Sequence, residues 1–371
     1  MKILLKSNLL VAIQNNDINL AEGLLTKGVD PDTRFYVDSQ EKPAICLCVE
    51  RGHVEMVRLL IKWGCSINQF DASGHTPLHL AAIFRYESIT EILLQNRANV
   101  KALSNSGQTA LHLARELAVV KMLVAAGSDI NKQDQDGRTA LILACMEGKT
   151  SIVKFLIQKG ADVNITDIYG NSPLLHASNC LSSDPTIISV LLRNGAKVNH
   201  QNNIGENALL IAVKHCHFYQ CNEIVEILLK NGCELNVNTW LGQSPLHLAI
   251  NGNDDCLVEL LIRFGCNPNV RDALGLTPLY YLAKDGKTNL IFLLLASGLN
   301  MQNETWVKDE LFIREIRSEF RDWLITKSRE FPPLKNLCRT AIRKYLGVRA
   351  EDIINQLPLP NPITEFLNLA Y

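Results

Sequence analysis

Apolar positions along this chain come in paired bursts at helical spacing, each pair set off by short polar stretches rich in Gly, Asn and Asp. One phrase organises the pattern. Gly74-His75-Thr76-Pro77-Leu78-His79-Leu80-Ala81 runs from a turn into Thr-Pro, and proline suits the first turn of a helix because its missing N–H would have no partner there. The phrase returns at Gly107-Gln108-Thr109-Ala110-Leu111-His112 and at Gly242-Gln243-Ser244-Pro245-Leu246-His247, and it starts again at Gly275-Leu276-Thr277-Pro278-Leu279. An octet of this kind cannot bury its apolar side alone, so its recurrence implies stacking against copies of itself.

Aligning on the glycine that should end the second helix of each pair gives Gly28, Gly64, Arg97, Gly127, Gly160, Gly195, Gly232, Gly265 and Gly298. Successive spacings are 36, 33, 30, 33, 35, 37, 33 and 33 residues, which defines nine units. Each predicts a turn, a short helix, a tight loop, a second helix and a left-handed cap. In the fifth unit Leu141 and Ala144 mark the buried face of the inner helix, and Ile152, Val153, Leu156 and Ile157 that of the outer one. Gly160 is its left-handed cap.

The departures carry information. Arg97 replaces a capping glycine, which costs free energy at a left-handed position unless the cap is rearranged. The fourth unit is short between Ala114 and Lys121, and the sixth and seventh are long around Asn179–Pro185 and His215–Asn222. Arg34-Phe35-Tyr36-Val37-Asp38 lengthens the turn between the first two units.

The period, the Thr-Pro-Leu-His phrase and the Gly-Ala-Asp-Val-Asn close at residues 160–164 resemble the ankyrin-repeat family over roughly Leu4–Met301. The resemblance implies an all-α solenoid of L-shaped helix-turn-helix units whose turns project as fingers. It also implies a protein partner on the concave side, made by the fingers and inner helices.

Beyond Gly298 the period stops. Phe312, Ile316, Phe320, Trp323 and Leu324 form one stripe between Trp306 and Arg329, read as a single amphipathic helix covering the end of the stack. Phe331-Pro332-Pro333 ends it. Leu334, Leu337, Cys338, Ala341, Ile342 and Tyr345 then share a helical face, in a tail too small to be stable alone. Pro333-Leu334-x-x-x-Cys338-x-x-x-Ile342 resembles the SOCS box, and with Leu337 it matches the form found in the ankyrin repeat and SOCS box family. Leu357-Pro358-Leu359-Pro360 is similar to the downstream box that favours Cullin-5. The resemblance implies that Leu334 anchors in a pocket of Elongin C with Cys338 and Ile342 beside it. The bland alternative is that these side chains only bury against the preceding helix. The expected division is 1–301 repeats, 302–332 capping helix and 333–371 SOCS box.

Composition narrows the classes. Of 371 residues 47% are apolar, enough for a continuous core, and a net charge of −1 argues against a nucleic-acid partner held by phosphate neutralisation. Eleven cysteines without fixed spacing read as reduced thiols of a cytoplasmic or nuclear protein rather than as a disulfide framework. Met1-Lys2-Ile3-Leu4-Leu5 is cut short by Lys6-Ser7-Asn8, so no export signal is expected, and Leu290–Leu295 is far too short to span a membrane.

Candidate chemistry is sparse. His79, His112 and His247 read as structural bridges between fingers, and Tyr280 holds their slot in the ninth unit. Cys65, Cys233 and Cys266 read as small buried fillers where Ala161 and Ala196 stand elsewhere. His215-Cys216-His217 with Cys221 groups four soft ligands, but the spacing matches no finger or ribbon arrangement and is read as a chance cluster, so no metal or cofactor is assigned. No nucleophile–base set or phosphate loop is present, and no catalytic residue is expected.

The residue before each turn glycine is Ser73, Ser106, Asp136, Tyr169, Ile204, Leu241 and Leu274 in order, with Trp240 beside Leu241. The switch from polar to apolar predicts a target-docking surface on Tyr169, Ile204, Trp240, Leu241 and Leu274. The competing possibility is that these side chains fold back to pack finger on finger. The function expected from the whole is that of a substrate receptor of a Cullin-5–RING ubiquitin ligase, recruiting Elongin B, Elongin C, Cullin-5 and its RING subunit. The rival is an ankyrin scaffold with no ligase recruitment.

Overall fold

Every expected helix pair is present in the computed structural model, which describes residues 2–37, 39–179, 184–219 and 222–301, together with 304 and 307. The amphipathic helix expected after Trp306, and the SOCS-box residues Pro333, Leu334, Leu337, Cys338, Ile342 and Leu357–Pro360, lie outside the described residues.

The chain divides into two compact units, one ending at Ile168 and the other starting at Tyr169. The first holds five pairs: α1 (Lys2–Asn15) with α2 (Ile18–Leu25), α3 (Ala44–Glu50) with α4 (Val54–Lys62), and α5 (Pro77–Ile83) with α6 (Glu87–Gln95). It continues with α7 (Ala110–Leu113) and α8 (Leu117–Ala125), then α9 (Ala140–Met146) and α10 (Thr150–Gln158). The second holds α11 (Pro173–Ser178) with α12 (Pro185–Arg193), and α13 (Ala208–Tyr219) with α14 (Asn222–Lys230). Its last pairs are α15 (Pro245–Asn251) with α16 (Asp255–Arg263), and α17 (Pro278–Asp285) with α18 (Thr288–Ala296). The fold is an all-α solenoid of nine helix-turn-helix repeats among the described residues. Within each unit inner helix packs on inner and outer on outer, as α5 does on α7 and α14 on α16.

Local chemistry sets the boundaries. Pro77, Pro173, Pro245 and Pro278 open their helices at the first turn, and Asp17 and Asp254 cap outer helices by accepting from Leu20 N–H (2.9 Å) and Leu257 N–H (3.0 Å). In the fifth repeat Leu141, Ala144, Ile152, Val153 and Leu156 are buried as expected, while Ile157 is only half-buried because it sits at the edge of the outer stripe. Fully burying one such side chain is worth about 1.5–3 kcal/mol, so stacking supplies the fold's main stabilisation.

Short hairpin fingers join the pairs. At each finger base a polar side chain ties the turn: Asp71 Oδ1 accepts from Ser73 N–H and His75 N–H (both 2.8 Å), and Asp272 Oδ1 from Leu274 N–H and Leu276 N–H (both 2.9 Å). The lengthened turn after the first repeat is a genuine antiparallel hairpin, β1 (Arg34–Val37) paired with β2 (Gln40–Pro43). Arg34 Nη2 donates to Phe70 C=O at 3.0 Å and links it to the next finger. The short fourth repeat reduces its inner helix to Ala110–Leu113.

Arg97 takes the left-handed position itself. Its cap is not rearranged: φ is 65°, Arg97 N–H reaches Leu94 C=O and Ala98 N–H reaches Leu93 C=O, the same pattern that Gly160 and Ala161 make with Ile157 and Leu156. The exposed side chain tolerates the strain because the neighbouring bonds fix the backbone. Arg97→Gly should therefore stabilise the protein by about 1 kcal/mol, read as a higher urea midpoint at unchanged slope. An unchanged or lower midpoint would show that the left-handed arginine carries no strain.

Candidate functional site

The three slot histidines share one geometry. His79 Nδ1 lies 3.2 Å from Thr76 N and 2.8 Å from Thr76 Oγ1, while Nε2 lies 3.0 Å from Gln108 C=O in the next finger. A backbone N–H can only donate and a carbonyl can only accept, so Nδ1 is the bare nitrogen and Nε2 carries the proton. His112 bridges Thr109 and Arg138 C=O (3.1 Å), and His247 bridges Ser244 and Leu276 C=O (3.2 Å), in the same way. Burial holds all three below the ordinary imidazole range, His79 at about 4. They are struts between a helix start and the following finger, as the sequence suggested.

Where histidine is replaced, the strut disappears. Ile142, Leu175 and Leu210 occupy the slot in the fifth, sixth and seventh repeats, and the cap side chain there accepts from the slot residue's own N–H: Thr139 from Ile142, Ser172 from Leu175, Asn207 from Leu210. Tyr280 fills the ninth slot, buried, and Thr277 Oγ1 donates instead to Glu304 Oε2 at 2.5 Å.

All five apolar fingertip residues belong to the unit that begins at Tyr169, and all are exposed: Tyr169 65%, Ile204 65%, Trp240 83%, Leu241 40% and Leu274 72%. They do not fold back to pack finger on finger. Tyr169 and Ile204 border a cavity of about 340 Å³ whose floor is Leu175 and Ile211 and whose walls include Asn171, His176, Asn202, Asn203, Glu206 and His215. That size and mixture of apolar floor and neutral amides suit a protein side chain or short segment. A second depression, between α7, α8, α9 and α10 where the fourth repeat is abridged, holds only about 10 Å³, room for one water molecule at most.

Sequence reading missed another exposed apolar group. Tyr36 on β1, and Phe70 and Leu103 just before the finger bases Asp71 and Ser104, are exposed in the first unit. The signal was available, because the same position holds Gln133, Gln201 and Asn238 in other repeats.

The filler cysteines carry no reactive chemistry. Cys65, Cys233 and Cys266 are buried fillers, and burial pushes the Cys233 and Cys266 thiols up to about 12, away from the nucleophilic thiolate. Of the His215, Cys216, His217 and Cys221 cluster, only the side chain of His215 is among the described residues, where no group of three ligating side chains converges. Among those residues no helix is long and apolar enough to cross a membrane.

Comparison with known proteins agrees with this architecture. The family model for ankyrin repeats matches three times, over residues 9–103, 111–202 and 179–272, and the model for the SOCS box matches 330–368. The chain belongs to the ankyrin-repeat family and carries a SOCS box after the repeats. Ankyrin repeats are non-catalytic protein-interaction modules, and the SOCS box is an adaptor element of cullin–RING ubiquitin ligases. Among curated proteins, the chain is similar to the nuclear factor NF-kappa-B p105 subunit of Gallus gallus, 41% identical over 105 residues. That match takes in 26% of this chain and 11% of the relative.

The strut histidines predict a pH response. Their folded pKa lies below the unfolded value of about 6.5, so as pH falls the unfolded chain takes up protons first. Stability is complete above about pH 6.5 and falls progressively towards pH 4, where His79 itself titrates. Replacing His79, His112 and His247 with leucine, which already serves at Leu175 and Leu210, should flatten urea midpoints between pH 6.5 and 5. A slope of unchanged size in the triple variant would assign the acid sensitivity elsewhere.

Proposed function

We propose that this chain is a substrate-recognition subunit of a Cullin-5–RING ubiquitin ligase, working in the cytoplasm or nucleus. The SOCS box beyond the repeats carries this reading. In it Leu334 seats in Elongin C with Pro333, Leu337, Cys338 and Ile342 around it, and Leu357-Pro358-Leu359-Pro360 faces Cullin-5. Elongin B and the RING subunit complete the assembly. The chain is divided as repeats to residue 301, a connecting helix over 302–332 and the SOCS box from 333. It performs no covalent step: holding a target beside a charged ubiquitin carrier raises the local concentration of its lysines, and that proximity is the whole catalytic contribution.

The target docks on the exposed apolar fingertips, with Tyr169 and Trp240 as aromatic anchors and Ile204, Leu241 and Leu274 around them. Exposed aromatic and aliphatic residues concentrated on one set of loops support this, since isolated surface apolar residues need no explanation but a repeated position does. The rival reading, a scaffold that binds its partner without a ligase, differs only in whether the SOCS-box face is open to Elongin C.

Co-expression with Elongin B and C followed by size-exclusion chromatography separates the two. Wild type should co-elute with both elongins and the Leu334→Ser, Cys338→Ser double variant should not. A well-folded wild type that elutes alone would leave the scaffold. Once a target is in hand, replacing Tyr169, Ile204 and Trp240 with serine should weaken its binding at least tenfold while the elongin complex survives, because the exposed side chains add little to the fold. Unchanged target binding would move the docking surface off the fingertips.

A further inference from the structure

Neighbouring fingers in this chain are stitched by one recurrent backbone bond. In five of the six steps between fingers that turn on a glycine, the N–H just after the finger base donates to the C=O just before the turn glycine of the preceding finger. Asn105 bonds Ser73, Gln135 bonds Ser106, Ile168 bonds Asp136, Asn203 bonds Tyr169 and Ala273 bonds Leu241, all at 2.9–3.1 Å. The equivalent step between the seventh and eighth repeats would join Trp240 N–H to Ile204 C=O. No such bond exists, and neither group has a hydrogen-bond partner among the described residues.

The spacing of the fingers agrees. A Cβ placed on Gly74, Gly107, Gly137, Gly170 or Gly242 would meet the backbone nitrogen of the following finger at 2.7–3.2 Å. At Gly205 it would meet nothing within 4 Å. The two fingers are nevertheless each intact, since Asn202 N–H bonds Glu206 C=O (3.0 Å) and Thr239 N–H bonds Gln243 C=O (2.9 Å). The stack of helices also continues, with α13 on α15. Only the stitch is open.

Its cause lies in the slot. The finger of the eighth repeat has no histidine strut beneath it because Leu210 stands where His79, His112 and His247 hold the fingers that follow them. The finger of the seventh repeat also follows a leucine, but His200 Nε2 donates to Gly170 C=O (2.7 Å) and Asn202 bonds Asn171 (3.0 Å), so it stays attached. The opening is flanked by Ile204, Trp240 and Leu241, all exposed. Of the side chains on the two fingers, residues 202–206 and 238–243, only Glu206 is charged, and Lys214 neutralises it at 3.1 Å.

We propose that this opening is a strand-capture site, in which an extended, uncharged segment of the target protein lies between the two fingers. Its N–H would donate to Ile204 C=O and its C=O would accept from Trp240 N–H, the pair of bonds that elsewhere the fingers make to each other. One apolar side chain of the segment rests against Trp240, and a neighbour reaches the cavity floored by Leu175 and Ile211, which Ile204 borders. Main-chain pairing gives affinity that is tolerant of sequence, and the apolar contacts give choice. The assignment deepens the fingertip docking reading and rests on it.

The site can be tested before any target is identified. The full-length chain is used to select from a phage-displayed library of short linear peptides, and the enriched peptides are synthesised and titrated by fluorescence anisotropy. The expectation is uncharged, apolar sequences whose affinity drops at least about tenfold for Trp240→Ala and is unchanged for the exposed first-unit control Phe70→Ala. N-methylation at one peptide position should cost roughly three- to tenfold, the loss of one main-chain bond. Exchange of the Trp240 amide should slow when peptide is added. A library that enriches no linear sequence, peptides indifferent to Trp240→Ala, or binding unaffected by methylation at every position would each overturn the proposal. Elongin co-elution of the same Trp240→Ala chain separates this failure from failure of the ligase reading, which does not involve Trp240.

Discussion

No helix pair of the repeats can bury its own apolar face, and that constraint organises the rest of the described structure. Helices of seven to nine residues, such as α3 and α10, are too short to persist in water on propensity alone. They exist because each repeat offers its neighbour a stripe such as Ile152, Val153 and Leu156 and receives one in return. The left-handed caps serve this exchange, since Gly28, Gly64, Gly160 and their equivalents reverse the chain at the end of each outer helix and lead it to the next turn. Arg97 adopting the same φ without a glycine shows how strongly stacking imposes the cap.

On top of that apolar exchange sits a polar one, and it is less uniform. The histidine strut and the inter-finger backbone bond both satisfy groups that would otherwise be left bare beside a packed helix start. Repeats three, four and eight supply histidine; repeats five, six and seven supply Ile142, Leu175 and Leu210, which pack well but reach no carbonyl. Helix packing is indifferent to this substitution, whereas finger attachment is not. The molecule can thus vary its fingers without endangering its core, and the apolar residues that directly precede a turn glycine, Tyr169, Ile204, Leu241 and Leu274, all fall in the unit that begins at Tyr169.

Much of this was legible from sequence. The period, the caps and the phrase around Thr76-Pro77-Leu78-His79 fix repeat number and helix order, because each stacked unit needs the same turn, helix pair and cap while its loops absorb the differences in length. At Tyr169, Ile204, Leu241 and Leu274, each beside a turn glycine, the sequence left exposure and fold-back packing both open, and the structure shows exposure. The β1–β2 pairing did not, since a lengthened turn of four to five residues carries no strand period of its own. Neither did the open stitch. It depends on the joint absence of a histidine at Leu210 and of a second tie such as His200 to Gly170, and a conjunction of contacts thirty residues apart has no local signature.

That conjunction bears on how such a protein acquires a target. A fully stitched row of fingers presents side chains only, with every backbone group near them already bonded, and recognition must rest on shape and apolar area. One opened step adds a donor and an acceptor of fixed spacing, which any extended segment can match and which a folded, already bonded surface cannot. Under the proposed role this biases the chain towards targets that offer a flexible stretch. Such a stretch gives up conformational entropy on docking and so binds weakly for the area it covers. For a subunit whose contribution is proximity that is a workable compromise, because a target must remain long enough for ubiquitin transfer and then leave.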